Sequence, residues 1–197
     1  MAKADPEAAK RQRIKHIKWV ISIFFVTIFI SGGISLLSDI LMENSSMIVA
    51  FLILLAIILI GIIFDIIGMA VATADEKPFH AMAARKVPGA KAAIQLLRNA
   101  ERVSSICNDV VGDICGVVSG SASATIAMQI LSNFDMSWPQ IVSLAMSALA
   151  AGLTVGGKAI GKSIAVNSCT SIVHTVGKVI HRFQSLTAGS GRKKSNS

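Results

Sequence analysis

Positive charge in this chain is confined to three blocks. All nineteen Lys and Arg residues lie in them, and the two long stretches between, Trp19 to Glu76 and Val103 to Gly157, contain none. A soluble domain spreads charge over its whole surface, whereas long uncharged runs separated by basic clusters are the pattern of a multi-span membrane protein. A chain that is 53% hydrophobic with a mean hydropathy of +0.65 is also too apolar for an ordinary soluble domain.

A bilayer core about 30 Å thick takes roughly 20 apolar residues in a helix. Four runs qualify: Trp19 to Met42, Met47 to Ala74, Val103 to Leu131 and Pro139 to about Ile160. The first two are rich in Ile, Leu and Phe. The other two carry more Gly, Ala and Ser, as in helices that pack against helices. The first run follows basic residues, as a signal peptide does, but it is too long for one and no small-x-small cleavage site follows it cleanly. The expected fold class is therefore all-α, a polytopic membrane protein of four transmembrane helices with cytosolic interfacial helices.

Orientation follows from the basic blocks. The N-terminal tail 1–18, the loop from Asp75 to Arg102 and the part after Lys158 hold all the Lys and Arg, while Glu43 to Ser46 and Ser132 to Trp138 hold none. Four spans with both termini cytosolic satisfy these counts, in a bacterial inner or plasma membrane. Trp19 and Trp138 then begin spans at opposite faces, where indoles favour the interface. The +8 net charge reads as contact with anionic lipid rather than nucleic acid.

Outside the bilayer, Phe79 to Lys86 and Gly89 to Arg98 read as short amphipathic helices broken at Val87-Pro88-Gly89, giving interfacial helices over about 79–98. Ala165, Cys169, Ile172, Val176, Val179 and Phe183 recur at helical spacing, predicting another over about 163–184. The tail 185–197, rich in Gly, Ser and Lys, reads as disordered. Cys107, Cys115 and Cys169 match no zinc or redox spacing and read as packing residues. No Ser/His pair, HExxH or phosphotransferase motif points to an enzyme.

Ionisable side chains at membrane depth are costly and mark candidate sites. Asp39 is near enough to the outer end of span one to reach water. Asp65, Asp109 and Asp113 each fall roughly 9 to 15 Å from the inner face at 1.5 Å per residue, so they can meet. Asp109 and Asp113 share a face with Ser105, Asn108 borders them, and Gly112, Gly116, Gly120 and Ala124 form an adjacent small-residue stripe for a close helix partner. Leu54 sits in a greasy run suited to lipid. Carboxylate, amide and hydroxyl oxygens suit a hard cation such as Mg2+. The plainer reading is structural: snorkelling carboxylates, contacts to Ser or Asn, or a pair with Lys158. The four histidines, His16, His80, His174 and His181, fall in cytosolic or interfacial segments and are not metal candidates.

Three segments together resemble the membrane domain of the cyclin M/CorC family of magnesium transport proteins. Gly89-Ala-Lys-Ala-Ala-Ile-Gln-Leu-Leu-Arg-Asn-Ala-Glu-Arg is similar to the family's cytosolic stretch ending Leu-Leu-x-Asn-Pro-Glu-Arg, with Ala100 in place of Pro. Phe64-Asp-Ile-Ile-Gly-Met-Ala-Val-Ala-Thr-Ala resembles its Phe-Ser-Ala-x-Glu-x-Ala-Leu-x-Ser segment. Gly157-Lys-Ala-Ile-Gly-Lys-Ser-Ile-Ala resembles its Gly-Glu-x-x-Pro-Lys-x-x-Ala motif. The resemblance covers about residues 47 to 184 and implies a homodimeric Mg2+ transporter, with span one as an extra helix.

Departures fall on the motif residues: Asp65 and Gly68 replace Ser and Glu, and Lys158 and Gly161 replace Glu and Pro. Gly112-Asp113 and Asn108-Asp109 both answer to the family's Gly-Asn pair. The implied divalent-cation site comprises Asp65, Asp109, Asp113, Asn108, Ser105 and backbone freed by a helix break at Gly156-Gly157. The alternative is a non-transporting membrane partner or assembly protein on the same fold. Lys158 has two expected placements, its ammonium drawn in toward Asp65 or Asp113 as a tethered cation, or snorkelling to the inner headgroups.

Overall fold

The computed structural model describes residues 6–43, 45–133 and 138–192, and its regular elements are all helical. α1 (Pro6–Glu43) and α2 (Met47–Thr73) precede two short helices, α3 (Lys77–Ala84) and α4 (Ala90–Arg98). α5 (Ala100–Ser105), a π-helical segment (Ile106–Gly112) and α6 (Asp113–Asn133) follow without a gap. α7 (Pro139–Asn167) and α8 (Cys169–Arg192) complete the chain. Four stretches are long and apolar enough to cross a membrane: Ile17–Met42, Met47–Thr73, Ala100–Asn133 and Pro139–Asn167. The protein is an all-α polytopic membrane fold, as the charge segregation predicts.

α2 is the axis of the bundle, packing against α7, α6, the π segment, α5 and α8. Two apolar clusters lie along it. One joins Met42 of α1 to Ala50, Leu54 and Ile58 of α2, Ile126 of α6 and Met146 of α7. The other, at the basic end, joins Ala70 and Val71 to Phe79, Leu97, Ala165 and Val173. Between them α2 contributes Gly61, Asp65 and Gly68, all buried. A polar layer is thus held between two apolar ones.

α1 stays at the periphery, and the most apolar window of its span has none of its residues buried. Its C-terminal half is tied to α6 by Gln129 Nε2 donating to the Met42 carbonyl at 2.8 Å and by the Ser35 and Ser121 hydroxyls at 3.4 Å. Leu54 does not face lipid as its surroundings in the sequence suggest. It is 3% exposed, because it lies on the face of α2 that packs into the bundle with Ala50 and Ile58, while Leu52, Leu55 and Leu59 remain on the outer face.

At the basic end, Ala74 is extended and ends α2, and Pro78 is the second residue of α3, in the first turn where a missing N–H costs nothing. α3 closes with Lys86 N–H donating to the Ala83 carbonyl and Val87 N–H to that of Met82, both at 3.0 Å. This is the paired capping of a Schellman motif, with Lys86 in the left-handed region at φ 56°. α4 then crosses α8 at backbone contact distance. A Cβ on Gly177 would stand 2.6 Å from the Gly89 carbonyl oxygen, and one on Gly89 2.6 Å from the Lys178 nitrogen.

Several boundaries differ from expectation. Residues 6–18 are helical, continuous with span one, rather than a separate tail. α3 and α4 are the two short helices expected over about 79–98, whereas α8 begins only at Cys169 and continues to Arg192, through much of the stretch read as disordered; 193–197 lie outside the described residues. α7 runs unbroken through Gly156 and Gly157 to Asn167, so no helix break frees carbonyls there.

Candidate functional site

The polar layer centres on Asp65, 7% exposed in mid-helix on α2. Lys158 of α7 reaches it: Nζ stands 3.7 Å from Oδ1, an ion pair just beyond hydrogen-bonding distance. Small residues make that approach possible. Gly157 and Gly161, four apart on α7, lie against Ile62 and Ile66 of α2, where a Cβ at Gly161 would meet Ile66 Cγ1 at 2.7 Å. α2 and α7 therefore touch on either side of Lys158. The role of Gly157 is close packing, not a break, a use of small-x-x-x-small spacing common between membrane helices.

The third wall is the π segment. A Cβ on Gly112 would lie 3.3 Å from Lys158 Nζ and 4.0 Å from Asp65 Oδ1, so the glycine leaves room for the ammonium. Asn108 is pressed onto Gly68, where any Cβ would clash with its Oδ1. Its Nδ2 donates to Ser104 Oγ at 3.3 Å. The hydroxyl that serves Asn108 is thus that of Ser104, and Ser105 is half-buried beside it.

Two acceptors in this layer are buried with no hydrogen-bond partner among the described residues: Asp65 Oδ2 and Asn108 Oδ1. Asp65 and Gly68 are three apart on α2, so both oxygens lie along one helix face. Buried acceptors normally find donors, and each exception needs an explanation. Asp39 Oδ1 is a third such atom, on α1, so this carboxylate is half-buried rather than simply reaching water.

The other expected ligands do not converge. Asp109 and Asp113 are exposed on the single chain while Asp65 is buried. Asp109 and Asp113 still share a side, but it is the outward one. Asn108 and Gly112, each one residue earlier in the π segment, face inward instead. Gly156 is exposed. Gly116 and Gly120 have nothing within 4 Å of a built Cβ, so beyond Gly112 these glycines of the stripe seat no helix closely among the described residues. With Ser119, Ser123, Ser147 and Thr154 they border a groove of about 190 Å³ between α6 and α7.

Among the described residues no three His, Cys, Asp or Glu side chains come together as a metal-ligand group. The layer offers one carboxylate, one amide oxygen and an ammonium. A divalent ion there would keep much of its water shell, as Mg2+ tends to. The signals in the sequence that lead to this site are glycines: Gly61 and Gly68 flank Asp65 in an otherwise Ile-rich run, and Gly157 and Gly161 flank Lys158. No family model matches the chain, and neither a curated protein nor a solved structure matches it.

Proposed function

We propose that this membrane protein moves or senses a divalent cation, Mg2+ first among them, at the polar layer between α2, the π segment and α7. The supporting observation is the pair of buried, unpartnered oxygens, Asp65 Oδ2 and Asn108 Oδ1. A hard cation would satisfy both, and an ionisable residue held at membrane depth is the usual mark of an ion path. Lys158 acts as an internal competitor. Its ammonium already meets Asp65 Oδ1, so an ion can enter only when the lysine stem swings away.

The second reading, a non-transporting membrane partner or assembly protein, is favoured by that same ion pair, since the chain supplies its own cation. In both readings the basic ends of the bundle are cytosolic and the unit is a homodimer in a bacterial inner or plasma membrane. The dimer is supported by Asp113. Gly112 lies against Asp65, so Asp113 next to it is at similar depth, yet exposed on one chain, where a second copy would shield it from lipid.

Thermal stability of the purified protein, scanned over Mg2+, Mn2+, Co2+ and Ca2+, tests the proposal, because an ion that binds only the folded state must raise stability. The wild type is expected to respond weakly, Lys158→Glu strongly and Asp65→Asn not at all. Absence of any metal response in both wild type and Lys158→Glu would remove the cation role and leave the second reading.

A further inference from the structure

A cavity of about 680 Å³ opens at the basic end of the bundle, between the α3–α4 turn and α8. Lys86, Lys91, Gln95 and His181 line it together with Ala84, Val87 and Pro88, and no carboxylate is among its lining residues that the structure describes. We propose that it holds the headgroup and glycerol region of an anionic phospholipid, with Lys86 and Lys91 contacting the phosphate. The site is separate from the polar layer and independent of its cation chemistry.

Placement comes first. The cavity is formed by α3, α4 and α8, the helices that follow the apolar stretches Met47–Thr73 and Pro139–Asn167, so headgroups rather than acyl chains are the parts of a lipid proposed to reach it. Its volume falls within the roughly 300–1,000 Å³ of ligand pockets. Its lining mixes cationic and apolar side chains, which matches a phospholipid at the glycerol level. A free phosphate would leave the apolar residues without a partner.

The walls are also fixed in advance. His174 Nε2 stands 3.3 Å from the Pro88 carbonyl, and the Gly89 and Gly177 backbones touch, so the turn is fastened to α8. Lys86 carries the strongest indication. The residue at this point of a Schellman motif is usually Gly, because a side chain in the left-handed region is disfavoured. A lysine here, at φ 56°, is a conformational cost that its charge at the cavity mouth explains.

The test uses the full chain in neutral detergent, with its melting temperature followed as phosphatidylglycerol, phosphatidylcholine or inorganic phosphate is added. Phosphatidylglycerol is expected to stabilise the wild type while the other two do not. The double variant Lys86→Gly/Lys91→Gln should need about thirtyfold more phosphatidylglycerol for the same shift, from two lost lysine contacts. Lys86→Gly places the preferred residue in the turn, so without lipid that single variant should melt no lower than the wild type. Lys77→Gln, a charge removed outside the cavity, should respond as the wild type does. An equal loss with Lys77→Gln would overturn the proposal in favour of diffuse surface charge. Equal stabilisation by inorganic phosphate would overturn the lipid as occupant, and equal stabilisation by phosphatidylcholine would overturn the role of the lysines.

Discussion

Removing the ammonium from the polar layer is the perturbation that reads its energetics most directly. At 3.7 Å the Lys158–Asp65 attraction is about 4.5 kcal/mol for an effective dielectric near 20, before the cost of taking both charges out of water. Desolvation offsets most of that, so the intact pair adds little net stability. Breaking it is different. Lys158→Met strands a carboxylate of which 9% of the side chain is exposed, and is expected to cost about 3 kcal/mol, the lower end for a broken buried pair. For a chain of this size that lowers the melting temperature by about 6–12 °C.

Asp65→Asn should cost only about 1 kcal/mol, because Lys158 is 24% exposed and its long stem can carry the ammonium to the headgroups. The double variant leaves neither charge buried and should lie within about 1 kcal/mol of the wild type. Heating followed by size exclusion in one detergent measures all four proteins. If the two single losses simply add in the double variant, the two residues do not interact and the ion pair is not part of the folded state.

Leu54→Ala should destabilise by about 2 kcal/mol, the low end for a buried leucine, because lipid weakens the transfer term; unchanged melting would contradict the packing of Leu54 into the bundle. Gly116→Leu should leave protomer melting unchanged, the side chain entering open space, but should reduce the dimer fraction in crosslinking if α6 seats a second copy. Gly68→Ala should displace Asn108 and weaken the metal response of Lys158→Glu, so an unaltered response would exclude Asn108 from the site. Tags at Asn44 and Asn133 should be reached from outside, and tags at Gly89 and at both termini only from the cytosol; an externally labelled C-terminus would contradict the even number of crossings.

The membrane class and the four spans were legible because both rest on one-dimensional rules. A helix in lipid must satisfy its own backbone, so length and apolarity suffice to find it, and Lys and Arg counts order the loops. Lys158 was legible in part: a lysine one turn inside a span has only headgroups or a buried carboxylate as destinations, and Asp65 and Asp113 were the nearby choices. The sequence by itself could not decide between them. That depended on α7 approaching α2 through Gly157 and Gly161, and on Gly112 leaving room for the ammonium, contacts between helices distant in the chain.

The π segment was not legible either. Four-residue spacing groups Asn108 with Gly112 as well as Asp109 with Asp113 and does not say which pair turns inward; the fold gives that role to Asn108 and Gly112. The glycines show the same division. Their number and spacing announce close approach, but which of them meet a neighbour, Gly61, Gly68, Gly157 and Gly161 rather than Gly116 and Gly120, depends on how each helix is rotated, and only tertiary packing sets that rotation.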